Sequence, residues 1–419
     1  MGNDPTKSEA RPKRLFVITE TFQPEVNGVA HTLARLTEGL KAKGHSVSVI
    51  RPTQTMEVYS RGLSRKTINL NLDSELIVRG GPLPFYKELR FGFPASRMLR
   101  KVWKKEKPDA VYIATQGPLG LSAVFAARTL RIPVISGFHT NFHSYMNHYG
   151  LKWLESPFES YLKYFHNLTE CTLAPSLDIL DSLMKVGVNN VATLARGVDC
   201  EIFSPKHRCN KLRSKWGASP KQKVAIYVGR LAAEKGIKLV IDTFRKMKYQ
   251  NPGQKLVLVG DGPCREELAK DNPDVIFMGK QSGLELSKCY ASADIFLFAS
   301  ETETFGNVTL EAMASGLGIV TYNYAAAKMH LQHKHSAMLA PLGNKELFTQ
   351  AALDLLLDSK KLSQLRVLAR KNAQLSSWSQ IVNRFESVIE RTISSNKQAS
   401  NLSLVQRWLG AISAKATIG

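Results

Sequence analysis

Glu303 and Glu311 stand eight positions apart in the segment SETETFGNVTLEAMASG, residues 300–316. Between them lies a turn-forming Phe305-Gly306-Asn307, then an apolar helical start at Val308, Leu310, Ala312 and Met313. An apolar stretch, ASADIFLFAS (291–300), precedes the segment, so the order is strand, loop, helix N-terminus. Open α/β sheets bind their ligands at that junction. Glu303 is expected in the loop, and Glu311 about one to two turns into the helix, near its positive end. Backbone N–H groups suit a phosphate and carboxylates suit sugar hydroxyls, so a nucleotide sugar fits the place. A capped helix with an acidic beginning is spelled the same way.

Four further segments carry chemistry. In YVGRLAAEKG (227–236) a strand ends at Gly229, with Arg230 and Lys235 five apart. Two cations there suit a diphosphate leaving group, the guanidinium as a fork and the ammonium as a point charge. Surface cations after a strand have the same appearance. LVGDGP (258–263) ends a strand in a tight turn at Asp261-Gly262, either a plain turn or the wall of a nucleotide pocket. In NGVA (27–30), Gly28 would let a phosphate approach the start of a helix, and an ordinary loop explains it equally well. GFHTNFHSYMNHYG (137–150) holds His139, His143 and His148 among aromatic residues. No carboxylate accompanies them, which disfavours a metal, and His139 at a strand end is the best polar contact. No Asp-x-Asp pair occurs in the chain, so chemistry without a metal or other cofactor is expected.

The elements that must position these residues form two α/β series. RLFVITE (14–20), a helix over 29–43 and HSVSVIRP (45–52) make a first β-loop-α-β unit. A helix at 95–107, DAVYIAT (109–115), a helix at 119–130 and PVISGFHT (133–140) continue it. The second series starts at KVAIYVGR (223–230) and runs through QKLVLVGDGP, DVIFMGK and the glutamate segment to GIVTYN (318–323). Two Rossmann-like domains are therefore expected, over 1–205 and 206–377. A helix over 378–394 and a tail at 395–419 follow, the tail ending in an apolar-basic LVQRWLGAI.

The net charge of +22 favours polyanionic surfaces. The excess is local. Residues 87–107 hold eight Lys or Arg against two acids, and 206–223 hold seven and no acid. No nucleic-acid-binding module accompanies the charge, so nucleic acid is not an expected partner. Five scattered cysteines without a C-x-x-C suggest neither a disulfide framework nor a zinc site, and fit a reducing cytoplasm. No run approaches a membrane span, and the polar MGNDPTKSEARPKR shows no apolar leader region.

Together TETFQPEVNGVA, GFHTNFH, RGVD (196–199), YVGRLAAEKG, LVGDGP and ETETFGNVTLEAMASG, in this order and spacing, resemble the retaining glycosyltransferases of family 4. The likeness covers roughly 14–394, and its wording is most like bacterial glycolipid and mannosyl-lipid transferases. It implies a GT-B fold, with two Rossmann-like domains facing across a cleft. It also implies a donor site of Gly28, Gly229, Gly262, Phe305, Gly306, Asn307 and Glu311, with Arg230 and Lys235 on the diphosphate. Glu303 would touch the donor sugar, Glu311 the ribose, and His139 would face the anomeric carbon. The helix beginning at Trp378 would cross back to the first domain. One departure stands out: NYAAAK (323–328) carries three alanines where many relatives have a glycine-rich loop.

The N-terminal domain normally takes the acceptor in this family, and helix 95–107 carries Arg97, Arg100, Lys101 and Lys104 around an apolar side that includes Trp103. Such a helix suits an anionic membrane surface, and equally a core-packed helix with a solvated basic face. The leading expectation is hexose transfer, UDP-glucose-type, to a lipid such as diacylglycerol at the inner face of the cytoplasmic membrane. A GDP-mannose-dependent mannosyltransferase is the alternative, and a nucleotide-sugar epimerase the alternative of another class.

Overall fold

The computed structural model describes residues 11–25, 27–53, 75–83, 86–139 and 155–416. A first sheet of seven parallel strands has the order β3-β2-β1-β6-β7-β8-β9. Its strands are β1 (Arg14–Ile18), β2 (Ser46–Pro52), β3 (Leu76–Val78), β6 (Ala110–Ile113), β7 (Val134–Gly137), β8 (Cys171–Ala174) and β9 (Val191–Thr193). Strands β4 (Gly80–Leu83) and β5 (Tyr86–Gly92) form a separate antiparallel ribbon. Helices α1 (Gly28–Ala42), α2 (Ser96–Glu106), α3 (Pro118–Thr129), α4 (Glu155–Asn167) and α5 (Leu177–Val186) connect the strands. Asn27 sets the start of α1 by accepting from the amides of Val29 and Ala30. Ser176 caps α5, and Gly187 in the left-handed region ends it.

The second sheet has six parallel strands in the order β12-β11-β10-β13-β14-β15. These are β10 (Val224–Val228), β11 (Lys255–Val259), β12 (Ile276–Phe277), β13 (Ile295–Phe298), β14 (Gly318–Tyr322) and β15 (Met338–Ala340). Helices α6 (Asn210–Lys215), α7 (Ile237–Gln250), α8 (Arg265–Asp271), α9 (Gly283–Ser292), α10 (Asn307–Ala314), α11 (Ala326–His330), α12 (Lys345–Leu357) and α13 (Ser359–Gln374) surround it. Every residue of β10 and of β13 is buried. Helices cover both faces of such a sheet, which is why these strands read as continuous apolar runs.

The acid-free basic segment 206–223 is partly consumed in this packing. Arg213 and Asp294 are buried, at 2% and 7% exposure. Arg208 donates to Asp294 Oδ1 at 2.9 Å, and Arg213 to Oδ2 at 3.0 Å. Asp294 Oδ2 also accepts from the Val224 amide at 2.9 Å, so the linker is locked to the starts of β10 and β13. Two of the seven cations thus neutralise a buried carboxylate instead of meeting a polyanion.

The chain passes between the sheets twice, and the two crossings lie side by side. The Val198 amide donates to the Ser376 carbonyl at 3.0 Å. A Cβ on Gly197 would stand 2.8 Å from the Trp378 Cα, so only a glycine fits there. Helix α14 (Trp378–Ala416) then returns over the first sheet. Tyr112 and Phe385 pack edge-to-face at 4.9 Å, and His45 meets Glu386 at 2.8 Å. This helix continues well past 394, where a tail was expected. The Ser- and Asn-rich stretch holds no proline, and its first glycine is Gly410, so nothing breaks the backbone ladder. Replacing Gly197 with alanine should force the crossings apart and cost about 1–3 kcal/mol, as overpacking does. Thermal melting checks this, and an unchanged melting temperature contradicts it.

Candidate active site between the two sheets

Each sheet reverses its strand order once, between β1 and β6 and between β10 and β13. Ligands of open α/β sheets sit beyond the C-terminal ends of such strands. The loops leaving β1, β10 and β13 carry Gly28, Lys235 and Glu303. Lys235 Nζ donates to Glu303 Oε1 at 2.6 Å, and Ser300 Oγ donates to the same oxygen at 2.8 Å. Both partners of the ion pair are mostly buried, with side chains 19% and 17% exposed. Arg230 stands more openly, at 52% side-chain exposure, 3.8 Å from Glu234. Its charge is therefore little committed to the protein.

Gly306 has φ of +86°, a conformation that costs a glycine little, and it ends the glutamate loop just before α10. Gly229 and Gly262 belong to two loops that press together: the Leu231 amide donates to the Asp261 carbonyl at 2.9 Å, and a Cβ on Gly262 would collide with the Leu231 carbonyl. For Gly262 this favours backbone packing, with the ligand reached only through the loop it shapes. Phe305 is 1% exposed, beside His330 at 6.0 Å between ring centroids. It is therefore a support beneath the loop, in correction of its expected place among the donor contacts. Glu311 is partly buried and accepts from the Tyr290 hydroxyl at 3.0 Å. Burial pushes its carboxyl up to about 7, and the Tyr290 hydrogen bond only partly offsets this.

The first domain meets this loop directly. A Cβ on Gly28 would lie 3.1 Å from Arg196 Nη1 and 4.0 Å from Asn307 Nδ2. The starts of α1 and α10 therefore face one another across a gap that no side chain at position 28 fills. His139 Nε2 pairs with the Tyr112 hydroxyl at 2.7 Å, while Nδ1 has no partner among the described residues. Burial holds its pKa down at about 3, with the Arg196 charge adding to the effect, so the ring is neutral. His143 and His148 lie outside the described residues.

Helix α2 does not join this group. Its Leu99 and Trp103 are buried at 0% and 1% exposure, and Trp103 packs edge-to-face on Phe16 at 6.1 Å. Trp103 is thus a core residue, which corrects its expected place at an acceptor or membrane. An apolar stripe on a basic helix serves a core and a bilayer alike, and here the core takes it. Arg97, Lys101 and Lys104 remain exposed, and Arg100 is half-buried.

Sequence reasoning assigned no role to Arg196, although RGVD was among its segments. It also missed a bridge between the domains. Asp178 accepts from the Ala325 amide at 2.8 Å and from Lys328 Nζ at 2.7 Å, and Ser176 Oγ donates to the Thr304 carbonyl at 3.2 Å. Ala325 is held at φ of +51° and ψ of −124°, a backbone conformation that favours glycine. Nothing local marks Asp178 as a partner 147 positions away, so only the fold reveals the contact.

Glu311 yields a pH prediction. Its folded-state value lies above the ordinary 4.5, so between about 4.5 and 7 the folded chain keeps a proton that the unfolded chain has released. Stability therefore falls as pH rises through that window, and the deficit is complete above it. Glu311→Gln removes the deficit. The variant's melting temperature relative to the parent should be higher at pH 8 than at pH 5, and a difference independent of pH contradicts the assignment.

Comparison with known proteins agrees with this architecture. The family description "Glycosyltransferase Family 4" matches residues 26–202, and "Glycosyl transferases group 1" matches 210–372. A GDP-mannose-dependent alpha-mannosyltransferase of Corynebacterium glutamicum is 33% identical over 88% of this chain and 86% of its own. An alpha-monoglucosyldiacylglycerol synthase of Streptococcus pneumoniae is 29% identical over 74% and 71%. Among solved structures, sucrose-phosphate synthase from Thermosynechococcus elongatus superposes with a TM-score of 0.72, covering 92% of this chain and all of that one at 16% identity. Two parallel sheets opposed across a seam, and sequence identity sustained along both, make this chain a glycosyltransferase of the GT-B fold, in the family of group 1 and family 4 transferases.

Proposed function

We propose that the chain transfers a hexose, with retention at the anomeric carbon and without a metal, from a nucleoside diphosphate sugar to a hydroxyl of a membrane lipid. The observation that supports this most is the meeting of Gly28 with Asn307, beside the Lys235–Glu303 pair. The Gly28 amide, the uncapped start of α10 and two cations there suit a diphosphate, while two carboxylates suit sugar and ribose hydroxyls. Arg230 and Lys235 would hold the β-phosphate as charge builds on it, which stabilises the transition state more than the ground state. The anomeric carbon–oxygen bond breaks toward the diphosphate. The acceptor oxygen bonds on the same face, and its proton passes to the departing phosphate oxygen. Glu303 would accept from the transferred sugar and Glu311 from the ribose. Neutral His139 would present Nδ1 toward the sugar.

The relatives covering most of the chain favour GDP-mannose as donor, and the glucosyldiacylglycerol synthases keep UDP-glucose as the second reading. The diacylglycerol in the name of the glucosyldiacylglycerol synthases supports a lipid acceptor. The matched families are transferase families, so the epimerase reading is not carried further. Mass spectrometry of products formed with GDP-mannose or UDP-glucose and mixed lipids including diacylglycerol should find a hexosylated lipid. Lys235→Ala and Arg230→Ala should each lower turnover about 100-fold or more, Arg230→Ala at unchanged melting temperature and Lys235→Ala at a somewhat lower one, since it strips Glu303 of its partner. Near-normal turnover in either variant would remove its residue from the site.

No helix among the described residues is long and apolar enough to cross a membrane. Exposed Arg97, Lys101, Lys104 and Lys105 on α2 support contact with an anionic surface at the inner face of the cytoplasmic membrane. The contact would be electrostatic, since the apolar side of α2 is used in the core. Co-sedimentation with vesicles containing anionic phosphatidylglycerol should therefore disappear as salt is raised, and should weaken in Lys101→Glu. Binding that persists at 1 M salt would contradict a purely electrostatic contact.

A further inference from the structure

One charged group in the cleft has no carboxylate counterpart in ion-pair contact among the described residues. Arg196 is 7% exposed, yet no carboxylate among the described residues lies within ion-pair distance of its guanidinium. Its Nε is buried without a partner. Nη1 makes a single long contact, 3.4 Å to Asn307 Oδ1. The guanidinium stands over the Phe305 ring, 5.9 Å from its centroid, and Nη1 is next to Gly28 at the start of α1. Dehydration pushes its pKa down to about 10, with the Glu303 charge opposing the shift. A charge held out of water without an opposite charge is costly. By contrast, Arg213 in the second domain is equally buried and has a carboxylate at 3.0 Å. The fold knows how to pair a buried guanidinium, and at Arg196 it has not done so.

An anion must then come from outside. The place has donors for one: α10 starts there without a side-chain cap, opposite Gly28, whose amide Asn27 does not take as it takes those of Val29 and Ala30, so amide donors and the guanidinium converge. We propose that Arg196 is a third cation of the donor site, donating to a β-phosphate oxygen from the side of the first domain, opposite Lys235. The nucleoside diphosphate then supplies the charge that the free protein lacks. It also draws together two domains that each present a cation to the same group. A bound diphosphate would make Arg196 a contact that exists only with both domains in place. The assignment rests on the donor reading above and adds a residue to it.

Calorimetric titration with GDP, UDP, GMP and UMP tests it on the full chain, as parent, Arg196→Lys and Arg196→Met. Arg196→Met should weaken the preferred diphosphate at least tenfold and the matching monophosphate less than twofold, because the lost contact is to the second phosphate. Arg196→Lys, which keeps the charge, should fall between. The ligand-free Arg196→Met protein should melt at or above the parent temperature, since it no longer buries an unpaired charge. Unchanged diphosphate affinity in Arg196→Met overturns the proposal, as does an equal loss for monophosphate and diphosphate. A lower melting temperature with unchanged affinity identifies a structural residue and overturns it too. A parent chain that binds neither diphosphate, by contrast, removes the donor reading itself.

Discussion

The pairing of the two chain crossings is the contact on which the rest depends. Val198 donates to the Ser376 carbonyl, and Trp378 lies against Gly197 with no room for a side chain between them. Two Rossmann-like sheets joined by one strand of chain could adopt many orientations. Joined twice at adjacent points, they turn the C-terminal ends of β1 and of β10 and β13 toward a common seam. The same few residues also deliver Arg196 to that seam, one position before the glycine. Helix α14 completes the arrangement by docking Phe385 on Tyr112, so its first half belongs to the core of the first domain although it follows the second.

What the seam holds is expensive to hold. Glu311 sits where its carboxyl gains a proton too easily, and Arg196 is dehydrated with no carboxylate among the described residues in ion-pair contact and its Nε unpartnered. Ala325 keeps a backbone conformation suited to glycine, with its amide taken by Asp178. Each of these is a local loss of stability that a purely structural sequence would have removed. The pairing around Asp294 shows the opposite treatment of charge, with every buried group answered. On the proposed donor-site reading, the contrast within one chain separates the groups that hold the fold from those that await a ligand.

Much of this was legible in the residues. The strands of both sheets read as apolar runs because helices cover both faces, and the glutamate segment read as strand, loop and helix because Gly306 interrupts it. Lys235 and Glu303 could be assigned to one site by chemistry, on the diphosphate and the sugar, but not to each other as an ion pair. Other features could not be read. The apolar stripe of α2 has one spelling for two environments, and burial of Trp103 decides between them. Arg196 is one of 57 lysines and arginines, and only its burial without a carboxylate in ion-pair contact among the described residues distinguishes it. The Asp178–Ala325 bridge and the length of α14 depend on contacts and on missing helix breakers that local pattern does not weigh.

The central claim is that a nucleoside diphosphate spans the seam, touched from both sides. A crystal structure with GDP or UDP bound tests it most directly. The account predicts the β-phosphate within hydrogen-bonding distance of Lys235 from one domain and of the Gly28 amide and Arg196 from the other, with Glu311 on the ribose. A diphosphate held by the second domain alone, with Gly28 and Arg196 out of reach in a closed molecule, would contradict it.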